Sequence, residues 1–512
     1  MTPVPRPAAL RTALLIFFLL ALTAWARPLM LPDEGRYVGV AWEMMRSHDW
    51  LTPTLDGLPY FHKPPLFYWI TAGSMSLFGM NEWAARAAPI LGATLGAFSL
   101  WWLARRHGGG DGSAAQADMS LTALLAQPMF LLGGQFANLD MLVAGLITAT
   151  VALAAHAVLC MERQLPYRRT LWVAYAMAGL GVLAKGLIGL VVPGMIVVVW
   201  LLLWRRWRAL LRLLSPTGAL IFLAITAPWF LAMQQRFPDF LYYFFVVQHF
   251  KRFAEGGFNN VQPFWFYPAV LLLATLPWWP WLRRLFSRGY LASASPLRLL
   301  MLCWLAMPVL FFSLPQSKLL GYVLPAVPPL AWLIADGWQL AGARSRRGWW
   351  LSAAGATALS LAVITFLALR PPHSARDLGR VLAAQRQAGE PVVMLQQYFF
   401  DLPFYAHLSE PSAIVDLWDQ AEATRKDTWR KEVFDAGQFA PSRAAALLVT
   451  PAGAPALLCR TEVNWVVGSQ EAASRWLPML PPATPLASES GVMLWRIDRR
   501  VPEVAKLLDC PG

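Results

Sequence analysis

Between Leu31 and Trp69 the chain reads LPDEGRYVGVAWEMMRSHDWLTPTLDGLPYFHKPPLFYW, a polar, aromatic run inside an otherwise apolar protein. It opens on an acidic pair, Asp33 and Glu34, and closes around Lys63, held before Pro64 and Pro65 and preceded by Tyr60 and His62. An acid that can orient an attacking group or take its proton, beside a cation that can hold phosphate oxygens, suits the transfer of a group off a phosphate ester. Further cations stand far along the chain, with His249, Lys251 and Arg252 in VVQHFKRF and Lys318 followed by Tyr322 in SKLLGYVLP. Asp140, in QFANLDM, sits at the end of an apolar run, where a lone carboxylate costs on the order of a few kcal/mol.

Plainer readings stand beside these. A lysine at a membrane interface can simply extend its ammonium toward headgroups, and Lys251 or Arg252 can touch lipid phosphates. Asp33 and Glu34 are also good residues for the first turn of a helix. Tyr60 and Trp69 suit interface anchoring.

The surroundings define the elements that must position these groups. With 57% hydrophobic and 14% charged residues and a mean hydropathy of +0.45, the chain is predicted to be a multi-pass membrane protein, mainly α. Apolar runs long enough to cross roughly 30 Å of hydrocarbon are read at 8–27, 82–104, 117–136, 139–161, 170–185, 187–204, 215–235, 263–282, 297–314, 319–341 and 348–369, about eleven spans in a domain covering 1–370. The first is expected to stay as a span, because WARPLMLPDE offers no small-residue cleavage pattern. Arginines crowd alternate loops, at Arg105 and Arg106, Arg168 and Arg169, Arg205 to Arg212, Arg283 and Arg284, and Arg344 to Arg347. By the positive-inside rule those loops are cytoplasmic. The loop at about 28–81, the loop at 236–262 and everything beyond 370 then face outward, which in a bacterium is the periplasm, the protein residing in the inner membrane. The net charge of +14 calls for no nucleic-acid partner, since residues 371–512 hold 14 Lys and Arg against 16 Asp and Glu. The excess belongs to the cytoplasmic loops.

Residues 371–512 are predicted to form a small α/β domain, with strands at PVVMLQ, AAALLVT, NWVVGS and VMLWRI and helices at Ser374–Ala388 and Asp419–Phe434. It shows no catalytic cluster, and the chain shows no internal repeat. An oxidising compartment permits a Cys459 to Cys510 bridge, though spacing leaves the geometry open. Residues 34–46 place Tyr37, Val40, Ala41, Met44 and Met45 at helical intervals, which predicts an amphipathic helix on the membrane surface.

Taken together, the D-E-x-R-Y start, the K-P-P step, NLDM, QHFKRF and the S-K-x-x-x-Y element resemble the GT-C membrane glycosyltransferases related to protein O-mannosyltransferases, and most of all the bacterial lipid A aminoarabinose transferases. The resemblance covers about residues 10–340. It implies a GT-C fold, a sugar donor on undecaprenyl phosphate, and transfer to lipid A or another glycan or protein acceptor at the periplasmic face, among membrane lipids. It places Asp33 at the catalytic acid, Lys63 and Arg252 at phosphate-binding positions, and Tyr60 and Tyr322 along the lipid phosphate cavity. Lys318 joins the phosphate-binding candidates, and Glu34 and Asp140 join Asp33 as candidate catalytic carboxylates. Where those enzymes hold a metal, this chain has His62 and His249. No cofactor is required by the reaction, and two imidazoles are an incomplete ligand set for zinc. Compared with those enzymes the chain reads as two spans shorter, with a smaller exported domain.

The reaction this implies is displacement at an anomeric carbon with undecaprenyl phosphate as leaving group, so that developing negative charge falls on the phosphate and cations fixed there stabilise it. A lipid or sugar transporter is the rival from another class. It predicts internal repeats and charges near the bilayer midplane, whereas these residues gather at one face. An assembly factor acting through its exported domain is a third reading, and protein O-glycosylation competes within the enzyme reading.

Overall fold

The computed structural model describes residues 4–108, 113–251, 260–287, 290, 295–341, 346–370, 374–420, 428–477, 485–508 and 510. The membrane part is a bundle: α1 Arg6–Ala21, α2 Asp33–Ser47, the two-stranded turn β1 Thr54–Leu55 and β2 Leu58–Pro59, α3 Leu66–Phe78, α4 Glu82–Ala85, α5 Ala87–His107, α6 Ser113–Leu125, α7 Pro128–Gly134, α8 Leu139–Glu162, α9 Arg168–Lys185, α10 Ile188–Leu203, α11 Trp207–Leu213 and α12 Pro216–Arg236. After a π-helical segment, Tyr242–Lys251, come α13 Phe266–Ala274, α14 Trp279–Leu282, α15 Pro296–Ser313, a 3-10 segment Leu320–Ala326, α16 Val327–Leu340 and α17 Arg346–Leu369.

Among the described residues six helical segments are long and apolar enough to cross a bilayer: α5, α8, α12, α15, the 3-10 segment continued by α16, and α17. Of the other expected spans, 8–27 and 187–204 form helices of 16 residues, 117–136 and 263–282 are interrupted, and 170–185 lies in an 18-residue helix with charges at both ends, so length and composition do not carry the count of eleven. The expected span 117–136 breaks where Gln127, extended at ψ 125, meets Pro128, because a residue before proline is pushed out of the helical region. Likewise 263–282 divides between α13 and α14 around Pro277. Helix α8 is the centre of the bundle, 94% buried over its apolar window, whereas α12 and α17 are 28% buried and turn their leucines outward. The close crossings use small residues, as expected where lipid supplies no hydrophobic drive between helices. A Cβ on Gly145 of α8 would lie 1.9 Å from the Gly92 carbonyl oxygen of α5, and one on Gly189 of α10 would lie 2.2 Å from Gly181 of α9.

Beyond the bundle, α18 Arg376–Gln385, β3 Val392–Leu395, α19 Leu402–Tyr405, β4 Ala413–Val415, α20 Trp429–Gln438, α21 Pro441–Leu447, β5 Leu448–Val449, α22 Ala454–Leu458, β6 Val463–Ser469, α23 Gln470–Trp476, β7 Ala487–Glu489, β8 Val492–Asp498 and α24 Pro502–Leu508 build the small α/β unit. The sheet order is β5-β4-β3-β6-β8-β7, with β5, β4, β3 and β6 parallel and β8 and β7 antiparallel. Three of the four expected strands fall where the pattern placed them. AAALLVT is mostly the helix α21 with two strand residues at its end, and β4 and β7 are additional. The expected helix at 419–434 begins only at Trp429 within the described residues. Cys459 and Cys510 are joined, with Cα atoms 5.5 Å apart.

Helix α2 corrects the membrane-surface expectation, for it is buried from Glu34 to Met44 except Arg36. One face meets α3, and the other lies under the C-terminal α/β unit. Gly35 and Gly39 allow this, since a Cβ on Gly35 would stand 2.8 Å from the Asp401 backbone nitrogen, and one on Gly39 3.3 Å from the Phe400 oxygen. Asp401 is fully buried, accepting from Ser374 Oγ at 2.8 Å and Ala375 N at 2.9 Å through one oxygen, while Oδ1 has no partner among the described residues. Burial pushes its carboxyl up to about 7 from 3.8. The folded state therefore keeps a proton that the unfolded state has lost across that window, so this contribution is complete below about 3.8 and is lost as pH rises through about 7. Asp401→Asn keeps the acceptor and removes the titration. Its melting temperature, followed by scanning fluorimetry from pH 4 to 8, is expected to fall less with pH than that of the native chain, and parallel curves would refute the assignment.

Candidate functional site

Glu34, one residue inside α2, is fully buried. Its carboxylate pairs with Arg27 and with Arg86, whose Nε lies 2.9 Å away, and accepts from the backbone nitrogens of Ala137 at 2.8 Å and Met30 at 3.0 Å. Arg86 itself donates to the carbonyls of Ala24, Arg27 and Pro28. Burial works to raise the Glu34 pKa, but the two guanidiniums outweigh it and hold the carboxyl at about 2. These bonds tie the α1–α2 link, the start of α5 and the loop before α8 together. Fully buried and with both oxygens occupied by these partners, Glu34 has the geometry of a residue that positions its neighbours, in contrast to the catalytic place expected for it.

Asp33, its neighbour, points the other way, with its side chain 33% exposed, and pairs with Arg36 one turn on. Arg36 continues to Glu432 of α20 in the C-terminal α/β unit. Burial opposes the Arg36 charge, but Glu432, with Tyr37, Tyr60 and Asp33, holds it well above its ordinary range. The buried Tyr60 hydroxyl donates to the other Glu432 oxygen at 3.4 Å, and burial, then Glu432, raises its pKa. The Tyr60 ring stacks on His62 at 4.5 Å, and His62 Nε2 is hydrogen-bonded to the Tyr243 hydroxyl at 2.9 Å, which also donates to Asp435 of α20 at 3.4 Å. Phe61 packs on Phe439 at 4.5 Å in the same contact. Lys63 follows, half-buried, on the turn that starts α3.

A second group lies at the matching ends of α8 and α9. Asp140, in the first turn of α8, is capped by Asn138, whose Oδ1 accepts from the Asp140 nitrogen at 2.9 Å, and it pairs with Lys185, the last residue of α9. The Lys185 ammonium stands 4.4 Å from the centre of the Tyr322 ring. The charge of Asp33 reaches Lys185, and Tyr37 senses Asp33, Arg36, Glu432 and Asp140 together. The two groups are thus close enough to interact through space. Gly321 packs directly on the second, because a Cβ there would fall 2.0 Å from Asp140 Oδ2. Gly321→Ala is expected to push Asp140 off Lys185, costing about 1–3 kcal/mol of stability and roughly 100-fold in sugar transfer through misplacement. Transfer at the native rate would refute that placement.

Lys318 is placed differently from the other cations. It is buried, and its ammonium donates to the carbonyls of Gln262 at 2.8 Å and Pro315 at 2.5 Å, bracing two loops against each other. Arg252 lies outside the described residues, and so do the side chains of His249 and Lys251. Among the described residues no three His, Cys, Asp or Glu side chains are grouped to hold a metal. His62 meets the Tyr243 phenol, and the side chain of His249, the other expected ligand, lies outside the described residues, so no chemical step is assigned to a metal.

Lys185 and Glu432 were not singled out by the sequence pattern, and Arg36 entered only as a letter of the D-E-x-R-Y motif. Lys185 did leave a trace: it ends an apolar helix that starts at Arg168 and Arg169, so it lies at the end opposite those arginines. Glu432 left none, since it meets Arg36 from 396 residues away.

Residues 62–231 match the family model described as dolichyl-phosphate-mannose-protein mannosyltransferase. The chain is 37% identical over 332 residues to undecaprenyl phosphate-alpha-4-amino-4-deoxy-L-arabinose arabinosyl transferase 1 of Sodalis glossinidius, covering 63% of this chain and 57% of that one. To the corresponding transferase of Aeromonas salmonicida it is 35% identical over 373 residues, 72% of this chain and 66% of that one. The match thus spans less than two thirds of these relatives. Its fold is similar to the crystal structure of ArnT from Cupriavidus metallidurans bound to undecaprenyl phosphate, with a TM-score of 0.79 and 24% identity over 98% of both chains. The sequence matches, this overlay and the multi-pass bundle agree with the sequence motifs: the chain is similar in sequence to the aminoarabinose transferases and, over residues 62–231, to the protein mannosyltransferases, and it shares the fold of the former.

Proposed function

We propose that the chain is an inverting glycosyltransferase that moves 4-amino-4-deoxy-L-arabinose from undecaprenyl phosphate to lipid A at the periplasmic face of the bacterial inner membrane. This reading is supported by two ion-paired groups, Asp33–Arg36–Glu432 with Tyr60 and Asp140–Lys185 with Tyr322, whose charges interact with one another. The names of the relatives supply the donor and sugar class.

In the proposed reaction an acceptor oxygen forms a bond to the anomeric carbon while the bond from that carbon to the phosphate oxygen breaks. The electron pair leaves with undecaprenyl phosphate. Lys63 and Arg252 hold that phosphate, with Lys185 adding positive charge, and fixed cations in a partly dry site are worth most where charge develops. Asp33 orients the acceptor, and takes its proton if the acceptor is a hydroxyl. Arg36 fixes the direction of Asp33, and Glu432 fixes Arg36.

The test is mass spectrometry of lipid A, total glycolipids and periplasmic glycoproteins from cells with the gene, without it, and complemented with Asp33→Asn. A pentosamine mass on lipid A that depends on both the gene and Asp33 is expected. A sugar lost from protein instead would move the reading to protein O-glycosylation, and an unchanged profile in every fraction would end it.

A further inference from the structure

The sheet of the C-terminal unit holds a second site. Strands β4 and β5 are laid down on one side of β3, and the chain then returns to place β6 on the other side. At such a reversal the loops leaving two adjacent parallel strands part, opening a crevice at their carboxyl ends, the usual place for a ligand in open α/β sheets. A cavity of about 200 Å³ lies there, lined by Leu395, Gln396, Gln397 and Phe399 after β3, Ser469 at the end of β6, and Arg430 of α20, with Val492 of β8 at its edge. Arg430 is 31% exposed and is aimed by the buried Asp416, at the end of β4, and by the Gln396 carbonyl at 3.4 Å. Gln396 takes a left-handed backbone, φ 59, to turn out of the strand, and Gln397 is exposed at the rim.

The lining has a definite chemistry. Two primary amides each offer donors and an acceptor, Ser469 offers a hydroxyl and Arg430 offers further donors. Leu395, Phe399 and Val492 form an apolar wall. With Arg430 balanced by Asp416 the crevice carries no net charge. Its volume is below the roughly 300–1,000 Å³ of pockets for drug-sized ligands. These features suit a compact ring with hydroxyls around its edge and C–H groups on a face. We propose that this crevice binds one neutral monosaccharide unit, either free or at the end of a glycan.

The site is separate from the two ion-paired groups. Arg430 and Glu432 are two residues apart on α20, about 200° around a helix, so one faces the crevice while the other reaches Arg36 and Tyr60. Gln397 and Arg430 take no part in the transfer site, so failure of this site leaves the transferase reading intact.

The experiment is saturation-transfer NMR and calorimetric titration of the full chain in lipid nanodiscs with D-glucose, D-mannose and L-arabinose, with D-glucuronate as the charged comparison. Saturable binding of at least one neutral sugar is expected, no weaker than that of glucuronate and insensitive to salt between 50 and 500 mM, a range over which ion-paired binding would decline. Gln397→Trp, a rim substitution that fills the opening, should weaken it at least tenfold while melting temperature and sugar transfer stay native. Arg430→Lys, which keeps the charge opposite Asp416 but loses the planar fork, should weaken it too. Methyl glycosides and short glycans binding more tightly than free sugars identify a glycan end as the source, and the reverse order a free sugar. No saturable binding, binding untouched by Gln397→Trp, or a clear preference for glucuronate would overturn the proposal.

Discussion

Asp33→Asn is expected to lower sugar transfer by about 100- to 10,000-fold while leaving the melting temperature nearly unchanged. The two effects separate because the Asp33 carboxylate is one-third exposed, and ion pairs with that much solvent contribute little to folding. Asparagine keeps the shape and loses the charge that Arg36 directs. Transfer should be measured with purified chain, undecaprenyl-phosphate-linked donor and lipid acceptor, at saturating donor, so that the fall appears in kcat. Activity above a tenth of native would remove Asp33 from the chemistry. Glu432→Gln offers a useful contrast, since it takes one of two carboxylates from Arg36 and leaves Asp33 in place. A smaller loss is expected from it.

Glu34→Gln is expected to act in the opposite manner, costing about 3–5 kcal/mol of stability because two buried guanidiniums lose their shared counter-charge. Glutamine can still accept from Ala137 N, so the loss reports charge rather than shape. The same linkage fixes a pH dependence. With the folded carboxyl held at about 2 against an ordinary 4.5, the contribution is present above about 4.5 and disappears as pH falls through about 2. Thermal unfolding in detergent, for native chain and variant from pH 2.5 to 7, should show the two curves converging toward acid. A variant of native stability but without activity would instead return Glu34 to the catalytic set.

What could be read from the chain followed from contrast. Whereas Tyr60 entered only through the family resemblance, a charged, proline-marked run amid apolar spans drew attention to Asp33 and Lys63, because polar groups at a membrane face need a reason to be there. Asp140 was legible for the same cause, and its partner is Lys185. Lys185 was harder to see because a lysine ending a span ordinarily reads as an interface residue. The adjacent acids Asp33 and Glu34 looked alike in sequence, yet successive helix residues point about 100° apart, which sends one to Arg36 and the other into the arginine cluster. Glu432 was invisible, for a charged helix in a soluble unit normally faces water. The α2 pattern showed one apolar face but not what would cover the other, where Gly35 and Gly39 admit the turn at Phe400. Spans 117–136 and 263–282 were over-read because hydropathy alone does not register the breaks near Pro128 and Pro277.

The bridge from Asp33 through Arg36 to Glu432 has a consequence for inheritance and for engineering. Half of the alignment of the reacting acid is encoded some 400 codons downstream of it, as the 396-residue separation of Arg36 and Glu432 records. Hybrids that join the bundle of one homologue to the outer unit of another should then misdirect the acid unless the loop and its distant carboxylate are transplanted as a matched set.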